Sequence, residues 1–145
     1  MEDSNYPEWH YEVIYEHPLR TLNAHLASGD RIRTDAPKDN HGLGEAFSPT
    51  DLLSTSLASC ALTIMGIHAQ TKDYELKAMT ANVRKTMAAH PRRVAAIHIA
   101  FHVTVSGSIS DREWMMLERA GRQCPVAKSL HPEIDQQLSF YLERT

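Results

Sequence analysis

The sequence of 145 residues predicts a single α+β domain, with an N-terminal β-meander, a long apolar central helix, a β-hairpin and two shorter helices. Three patterns indicate this fold class. First, short β-prone runs separated by turn residues occupy the segment from Trp9 to Thr34. Second, the segment from Leu52 to Thr71 contains no Asp, Glu, Lys or Arg. Third, apolar residues alternate with other residues from Ile97 to Val105. A chain of this length can bury a core without disulfides or a metal.

The meander is the first predicted element. Its turns are His17-Pro18 and Ser28-Gly29-Asp30, and the strands that they separate are Tyr11 to Tyr15, Thr21 to Ala27 and Arg31 to Thr34. Residues Asp35 to Glu45 are rich in Asp, Asn, Pro and Gly, which predicts a loop.

A capping box predicts where the central helix begins. Ser48 supplies the N-cap hydroxyl, Pro49 the first helical residue and Asp51 the carboxylate at the third helical position, so the helix should run from Ser48 to about Thr71. Such a helix is roughly 36 Å long, against a radius of gyration of about 15 Å for a chain of this size. Because it is apolar on nearly all sides, part of its surface should pack against a second subunit, which predicts an obligate homodimer.

A membrane-spanning helix is the alternative interpretation of this segment. Interruption by Ser, Thr and His residues favours a buried central helix over a span. The N-terminus is acidic and lacks the positive charge and apolar stretch of a secretory signal, so a cytoplasmic protein is expected.

The C-terminal half predicts a hairpin, two helices and a last strand. The capping box Ser110 to Glu113 opens a helix that should end near Gly121, and Cys124-Pro125 opens a short one. The predicted ranges are strands Tyr74 to Thr86 and Val94 to Val105 with a turn at Ala88 to Arg93, a short helix Pro125 to Leu130 and a strand near Leu138 to Leu142.

Composition excludes two classes of partner. A net charge of −3 and dispersed Lys and Arg residues provide no basic stripe for nucleic acid. Nine histidines raise the possibility of a metal site, but no ligand motif occurs, and on a strand His98 and His102 are about 13 Å apart. We therefore expect neither a metal nor another cofactor.

The two cysteines differ in their predicted surroundings. Cys60 lies too deep in the central helix for the helix dipole to stabilise a thiolate, so its reactivity requires an outside cation; Arg20 is the first candidate, with Arg31 and Arg33 as substitutes. Cys124 lies at a helix N-terminus, where backbone N–H groups favour a thiolate, although simple capping gives the same pattern. Inert burial is the more common fate of two cytosolic cysteines.

Two segments of the chain resemble the OsmC/Ohr family of hydroperoxide-reducing proteins. They are GEAFSPTDLLSTSLASC, from Gly44 to Cys60, and CPVAKSL, from Cys124 to Leu130. The resemblance implies an intertwined homodimer with an active site at the subunit interface. It also implies that Cys60 is the peroxidatic residue and Cys124 the resolving residue, and that Arg20 matches the arginine of the first hairpin.

The sequence departs from the family pattern at one site position. In the best-characterised members an acidic residue directly follows the helix-opening proline and pairs with the arginine, but here Thr50 occupies that place, leaving Asp51 and Glu45 as candidates for the role. The resemblance implies reduction of organic hydroperoxides and a dithiol reductant, possibly of lipoyl type. Leu57, Ile64 and Met65 would line the substrate pocket. A redox sensor or a carrier of a small apolar ligand is the alternative.

Overall fold

The structure is a computed structural model that describes residues 8–145. Its elements follow the predicted order: β1 (Tyr11–Glu16), β2 (Arg20–His25), β3 (Arg31–Asp35), a 3₁₀ turn (Lys38–Asn40), α1 (Pro49–Ala69), β4 (Glu75–Ala88), β5 (Arg93–Ser106), α2 (Asp111–Arg122), α3 (Pro125–Ser129) and β6 (Asp135–Arg144). The chain divides into two compact units, one ending at Leu52 and the other running from Leu53 to Thr145. The predicted α+β class is confirmed, whereas the assignment of the whole chain to one domain stays a prediction.

The first unit contains the antiparallel meander β1–β2–β3. Pairing of Arg20 with Asp35 extends β3 by one residue into the segment predicted as a loop. Within that loop, a side chain at Gly42 would place its Cβ 1.7 Å from the carbonyl oxygen of Ala36. Only glycine therefore allows the chain to fold back on itself between β3 and α1.

The second unit contains a sheet in the order β4–β5–β6, with β4 antiparallel and β6 parallel to the central strand β5. The predicted alternation is confirmed from Ile97 to Val105 of β5, because every second side chain of this stretch is buried on one side of the sheet. These are Ile97, Ile99, Phe101, Val103 and Val105. Leu57, Ala58 and Ala61 of α1 belong to the same core as Ile97, Ile99 and Phe101.

Strand β6 is twice as long as the five residues predicted for it. It begins at Asp135, and all ten of its residues pair in parallel with β5, from Ala96 to Val105. Its first residues, Asp135, Gln136 and Gln137, have little strand propensity of their own. Backbone pairing with β5, which the local sequence does not encode, therefore sets the start of this strand.

Only one face of α1 is buried. Leu57, Ala58, Ala61 and Met65 are covered, whereas Ile67 is 56% exposed. The helix is long and apolar enough to cross a membrane by length and composition, with 28% of its most apolar window buried. An uncovered apolar face is what the predicted homodimer would cover, and both the dimer and the cytoplasmic location stay predictions.

We expect Phe101→Ala to lower the free energy of unfolding by about 3–5 kcal/mol. Phe101 is fully buried on β5 and stacks on Phe140 of β6 with ring centroids 4.6 Å apart, so truncation leaves a cavity between two strands and a helix. Urea denaturation followed by circular dichroism measures the loss. Met115→Ala, at a position 62% exposed, is the control and should change stability by less than about 0.5 kcal/mol. Equal effects of the two substitutions would contradict this description of the core.

Candidate functional site

Cys60 lies on α1 in the second unit and is partly buried. Its side chain packs against the core cluster that contains Leu57, Ala58 and Phe101. Because α1 is a continuous helix packed on β5, the position of the Cys60 sulfur is fixed by the same contacts that stabilise the core.

Cys124 is the N-cap residue of α3 and is fully buried. Its backbone is extended, Pro125 occupies the first turn of the helix, and the backbone N–H of Ala127 donates to the Cys124 sulfur at 3.4 Å. Proline suits this position because the first N–H groups of a helix have no partner within the helix. The predicted location of Cys124 at a helix N-terminus is confirmed.

The two cysteine side chains are neighbours, and both are free thiols. Cys124 belongs to the buried core cluster against which Cys60 packs, and Cys60 is close enough to raise the pKa of the Cys124 thiol. The 0% exposure of Cys124 and the partial exposure of Cys60 mean that a solvent-borne reagent meets Cys60 first.

Burial raises the pKa of the Cys124 thiol above that of an ordinary cysteine, and its contact with Cys60 acts in the same direction. The backbone N–H groups of Ala127 and Val126 lower this pKa, but by less than burial raises it. The helix terminus therefore acts in the predicted direction, but the net pKa of Cys124 is raised because burial has the larger effect. The short α3 helix supplies the expected hydrogen bond, while removal of the sulfur from water dominates.

Arg20 begins β2 in the first unit, where it contacts two carboxylates. Its Nη2 atom lies 3.6 Å from Oδ2 of Asp35 and also contacts the carboxylate of Glu45. The backbone N–H of Glu45 donates to the same Asp35 oxygen at 3.0 Å, which holds the loop beside the arginine. The Nε atom of Arg20 is buried and has no hydrogen-bond partner within residues 8–145. The structure thus brings together Arg20 and Glu45, two residues singled out from the sequence.

Asp35 is a member of this cluster that the sequence did not reveal. It is 1% exposed, and its carboxylate lies between Arg20 and the backbone of Glu45. The sequence pattern assigned it to a polar loop. The strand register could have identified Asp35, because antiparallel pairing places the first residue of β2, Arg20, opposite the last residue of β3, Asp35.

The other candidate cation and pocket residues have different surroundings. Arg33 pairs with Glu16 at 3.2 Å on the surface of the meander, as solvated arginines commonly do. Leu57 and Met65 are fully buried core residues, and Ile64 is partly buried beside the core. Their proposed contact with a substrate stays a prediction.

The second unit contains a cavity of about 330 Å³ bordering the cysteine-containing core. Val94 and Ile134 belong both to its wall and to the core cluster of Cys60 and Cys124. The remaining lining residues are Leu53, Arg93, Ala95, His131 and Glu133. Most of the exposed lining is apolar, so the cavity suits an uncharged or amphipathic organic molecule.

The described part of the chain contains no group of three or more His, Cys, Asp or Glu residues suited to a metal ion. The guanidinium of Arg84 donates to Nδ1 of His98 at 2.9 Å, and His102 stacks on Tyr141. Both histidines lie on β5, as predicted, and each contacts a side chain of a neighbouring strand.

The chain is similar to known proteins over most of its length. A family model described as OsmC-like protein matches residues 42–139. A solved structure from Psychrobacter arcticus 273-4, whose name refers to osmotic stress induction and a detoxification response, is 47% identical and has a TM-score of 0.86, with 94% of this chain and 98% of that chain covered. The chain belongs to the OsmC family.

More distant OsmC structures share the fold. An OsmC-like protein from Mycoplasma pneumoniae is 16% identical with a TM-score of 0.76, covering 94% of this chain and 97% of that one. An organic hydroperoxide resistance protein OsmC from Legionella pneumophila is 14% identical with a TM-score of 0.63, covering 90% and 93%. No curated protein matches the chain.

At the start of α1, where Thr50 stands in place of the acidic residue of the OsmC pattern, Thr50 and Asp51 both contact the N-cap residue Ser48. Asp51 and Ser48 form a reciprocal cap: the Ser48 N–H donates to the Asp51 carboxylate at 2.9 Å, and the Asp51 N–H donates to the Ser48 hydroxyl at 3.1 Å. The hydroxyl of Thr50 lies 3.1 Å from that of Ser48. Thr50 and the candidate Asp51 thus both contact the N-cap residue, whereas the candidate Glu45 contacts Arg20.

We expect Cys124 to make stability fall as pH rises above the pKa of an unfolded thiol, about 8.5. A folded-state pKa raised by burial means that the native protein holds the proton more tightly, so the stabilisation is present below the unfolded pKa and is lost as pH rises through the folded-state pKa. Urea denaturation with a phosphine reductant should show a steeper loss between about pH 8 and 10 for the native sequence than for Cys124→Ser. Tyr74, whose pKa burial also raises, is common to both proteins. Parallel pH profiles would contradict the assignment.

Proposed function

We propose that this OsmC family member reduces organic hydroperoxides through the thiols of Cys60 and Cys124. The observation that carries the proposal is the contact between a partly exposed cysteine on a rigid helix and a fully buried cysteine on a turn. Solved OsmC-fold neighbours that are named for organic hydroperoxide resistance support the same class of chemistry.

In the proposed reaction the Cys60 thiolate attacks the distal oxygen of the hydroperoxide. The O–O bond breaks, the alkoxide takes up a proton and leaves as an alcohol, and Cys60 becomes a sulfenic acid. The Cys124 thiol then attacks this sulfur, a disulfide forms and water leaves. An external dithiol, for which a lipoyl-type group is the family expectation, restores both thiols by two exchange steps and is itself oxidised to a disulfide.

The raised pKa of Cys124 suits the resolving role. A thiol that stays protonated at neutral pH does not compete with Cys60 for the peroxide, because the thiolate is the nucleophile. The same proton can be donated in a hydrogen bond to the sulfur of Cys60. Loss of that proton is then required only once the sulfenic acid has formed.

Arg20 is the proposed cation for the Cys60 thiolate and the peroxide. Its contacts with Asp35 and Glu45 orient the guanidinium, and its buried Nε–H remains a donor without a hydrogen-bond partner within residues 8–145. Because Asp35 is held by the backbone of Glu45, the loop and the strands fix the arginine together. In this proposal Glu45 takes the place of the family carboxylate that Thr50 replaces.

A homodimer is the proposed assembly. Besides the uncovered face of α1, strand β1 exposes Tyr11, Val13 and Tyr15 by 60–68% on one side of the meander. Exposed apolar surface of this kind, in each unit separately, commonly marks a protein interface. The family resemblance implies an intertwined dimer, in which such surfaces would be covered.

We expect Cys60→Ser to abolish reduction of cumene hydroperoxide, since no thiolate remains to attack the peroxide. Cys124→Ser should still be oxidised once, at Cys60, and should accumulate a sulfenic acid that dimedone labels. Stopped-flow kinetics with one equivalent of peroxide, followed by mass spectrometry of the labelled peptide, measures both outcomes. A native protein that reacts no faster than free cysteine would rule out the enzymatic function.

We expect Arg20→Met to slow oxidation of Cys60 at least tenfold, because the loss of one charge-assisted interaction is worth roughly 1.5–3 kcal/mol. Glu45→Gln, at a mostly exposed side chain, should give a smaller decrease without unfolding the first unit. Arg33→Met is the matched control, because it removes a surface arginine of the adjacent strand. Equal rates for Arg20→Met and Arg33→Met would assign the thiolate-stabilising role to another group.

The second candidate function is a redox sensor or a carrier of a small apolar ligand. The cavity of about 330 Å³ beside the cysteine-containing core is the observation that favours it, since its volume lies at the lower end of small-molecule sites. A native mass spectrum with a co-purified organic molecule, or disulfide formation without turnover, distinguishes this function from that of a peroxidase.

A further inference from the structure

The segment that carries Cys124 joins α2 to α3 and is held by contacts from strand β6 on both sides of the cysteine. Arg122 precedes Cys124 by two residues, and Ala127 follows it by three. Arg122 contacts Leu138 and Phe140 of β6. Ala127 contacts Gln136, near the start of the same strand.

Arg122 anchors the end of α2. Its Nη2 donates to the carbonyl of Leu138 at 3.2 Å, and its guanidinium lies over the ring of Phe140, 4.8 Å from the ring centroid. Phe140 is itself stacked on the buried Phe101, and Glu118 lies 3.9 Å from the guanidinium. A planar cation held by a carbonyl, a ring and a carboxylate has little rotational freedom.

Gln136 anchors the start of α3. Its side-chain amide donates to the carbonyl of Ala127 at 3.0 Å. The backbone N–H of the same Ala127 donates to the Cys124 sulfur at 3.4 Å. The backbone of Ala127 therefore connects the sulfur of Cys124 to β6.

We propose that Arg122 and Gln136 are positioning residues for the resolving step, and that they hold Cys124 at attacking distance from Cys60. The inference rests on the proposed function, which requires these two sulfurs to form a disulfide. Neither residue touches the reacting sulfurs, so each acts through the backbone that carries Cys124. Disulfide closure within one chain depends on such pre-organisation, because a misplacement of about 1 Å can slow a reaction roughly a hundredfold.

Dithiodipyridine tests the proposal without using a peroxide. The partly exposed Cys60 attacks the reagent as a thiolate, a mixed disulfide forms and one thiopyridone leaves. The buried Cys124 then attacks the protein-bound sulfur, the intramolecular disulfide forms and the second thiopyridone leaves. Absorbance followed over time separates the two releases.

We expect Arg122→Met and Gln136→Met each to slow the second release about tenfold while the first release keeps its native rate, because only placement of Cys124 changes. Arg122→Lys should recover part of the rate, since a cation over Phe140 is retained. Arg119→Met is the matched control, because Arg119 is an exposed arginine of the same helix and should leave both releases unchanged. Thermal unfolding of each variant identifies any that is simply less folded.

A native rate for the second release in both methionine variants would overturn the proposal, as would an equal slowing of both releases in folded protein. The same variants treated with cumene hydroperoxide should show a longer-lived Cys60 sulfenic acid. A native protein that closes its disulfide with dithiodipyridine but does not react with hydroperoxide would end the peroxidase proposal and leave the positioning role intact.

Discussion

Packing of α1 against the central strand β5 is the constraint on which the meeting of Cys60 and Cys124 depends. Leu57, Ala58 and Ala61 share a core with alternate residues of β5, and Cys60 lies on the same helix. Cys124 enters this core from the turn between α2 and α3. The contact between the two thiols is therefore a product of core packing rather than of any local motif, which explains how cysteines 64 positions apart in sequence meet.

Burial and the helix terminus act in opposite directions on the pKa of Cys124. The N–H of Ala127 favours a thiolate, but desolvation of a fully buried sulfur is the larger effect. The two cysteines consequently differ in kind: one can meet solvent, and the other holds its proton inside the core. In the proposed reaction, this difference suits Cys60 to the attacking role and Cys124 to the resolving role.

Periodic patterns and capping residues in the sequence were sufficient to predict the order and type of the α-helices and strands found in residues 8–145, but not the 3₁₀ turn Lys38–Asn40. The run without charged residues predicted the C-terminal end of α1 to within two residues. The alternation of apolar residues predicted both ends of β5 to within one residue. Features that depend on distant pairing were not predictable in this way. Asp35 is buried because its strand register places it opposite Arg20, and the pKa of Cys124 depends on how completely the surrounding elements exclude water.

The parallel pairing of β5 with β6 affects how Cys60 and Cys124 come together during synthesis. Parallel neighbours require a crossover connection, and here that connection contains α2, Cys124 and α3. Because β6 follows this connection in the chain, the emerging polypeptide has made both cysteines before it can build the strand that supports the second one. Nascent chains released before β6 has joined the sheet would carry two thiols that are not yet partners, and such intermediates are vulnerable to wrong disulfides.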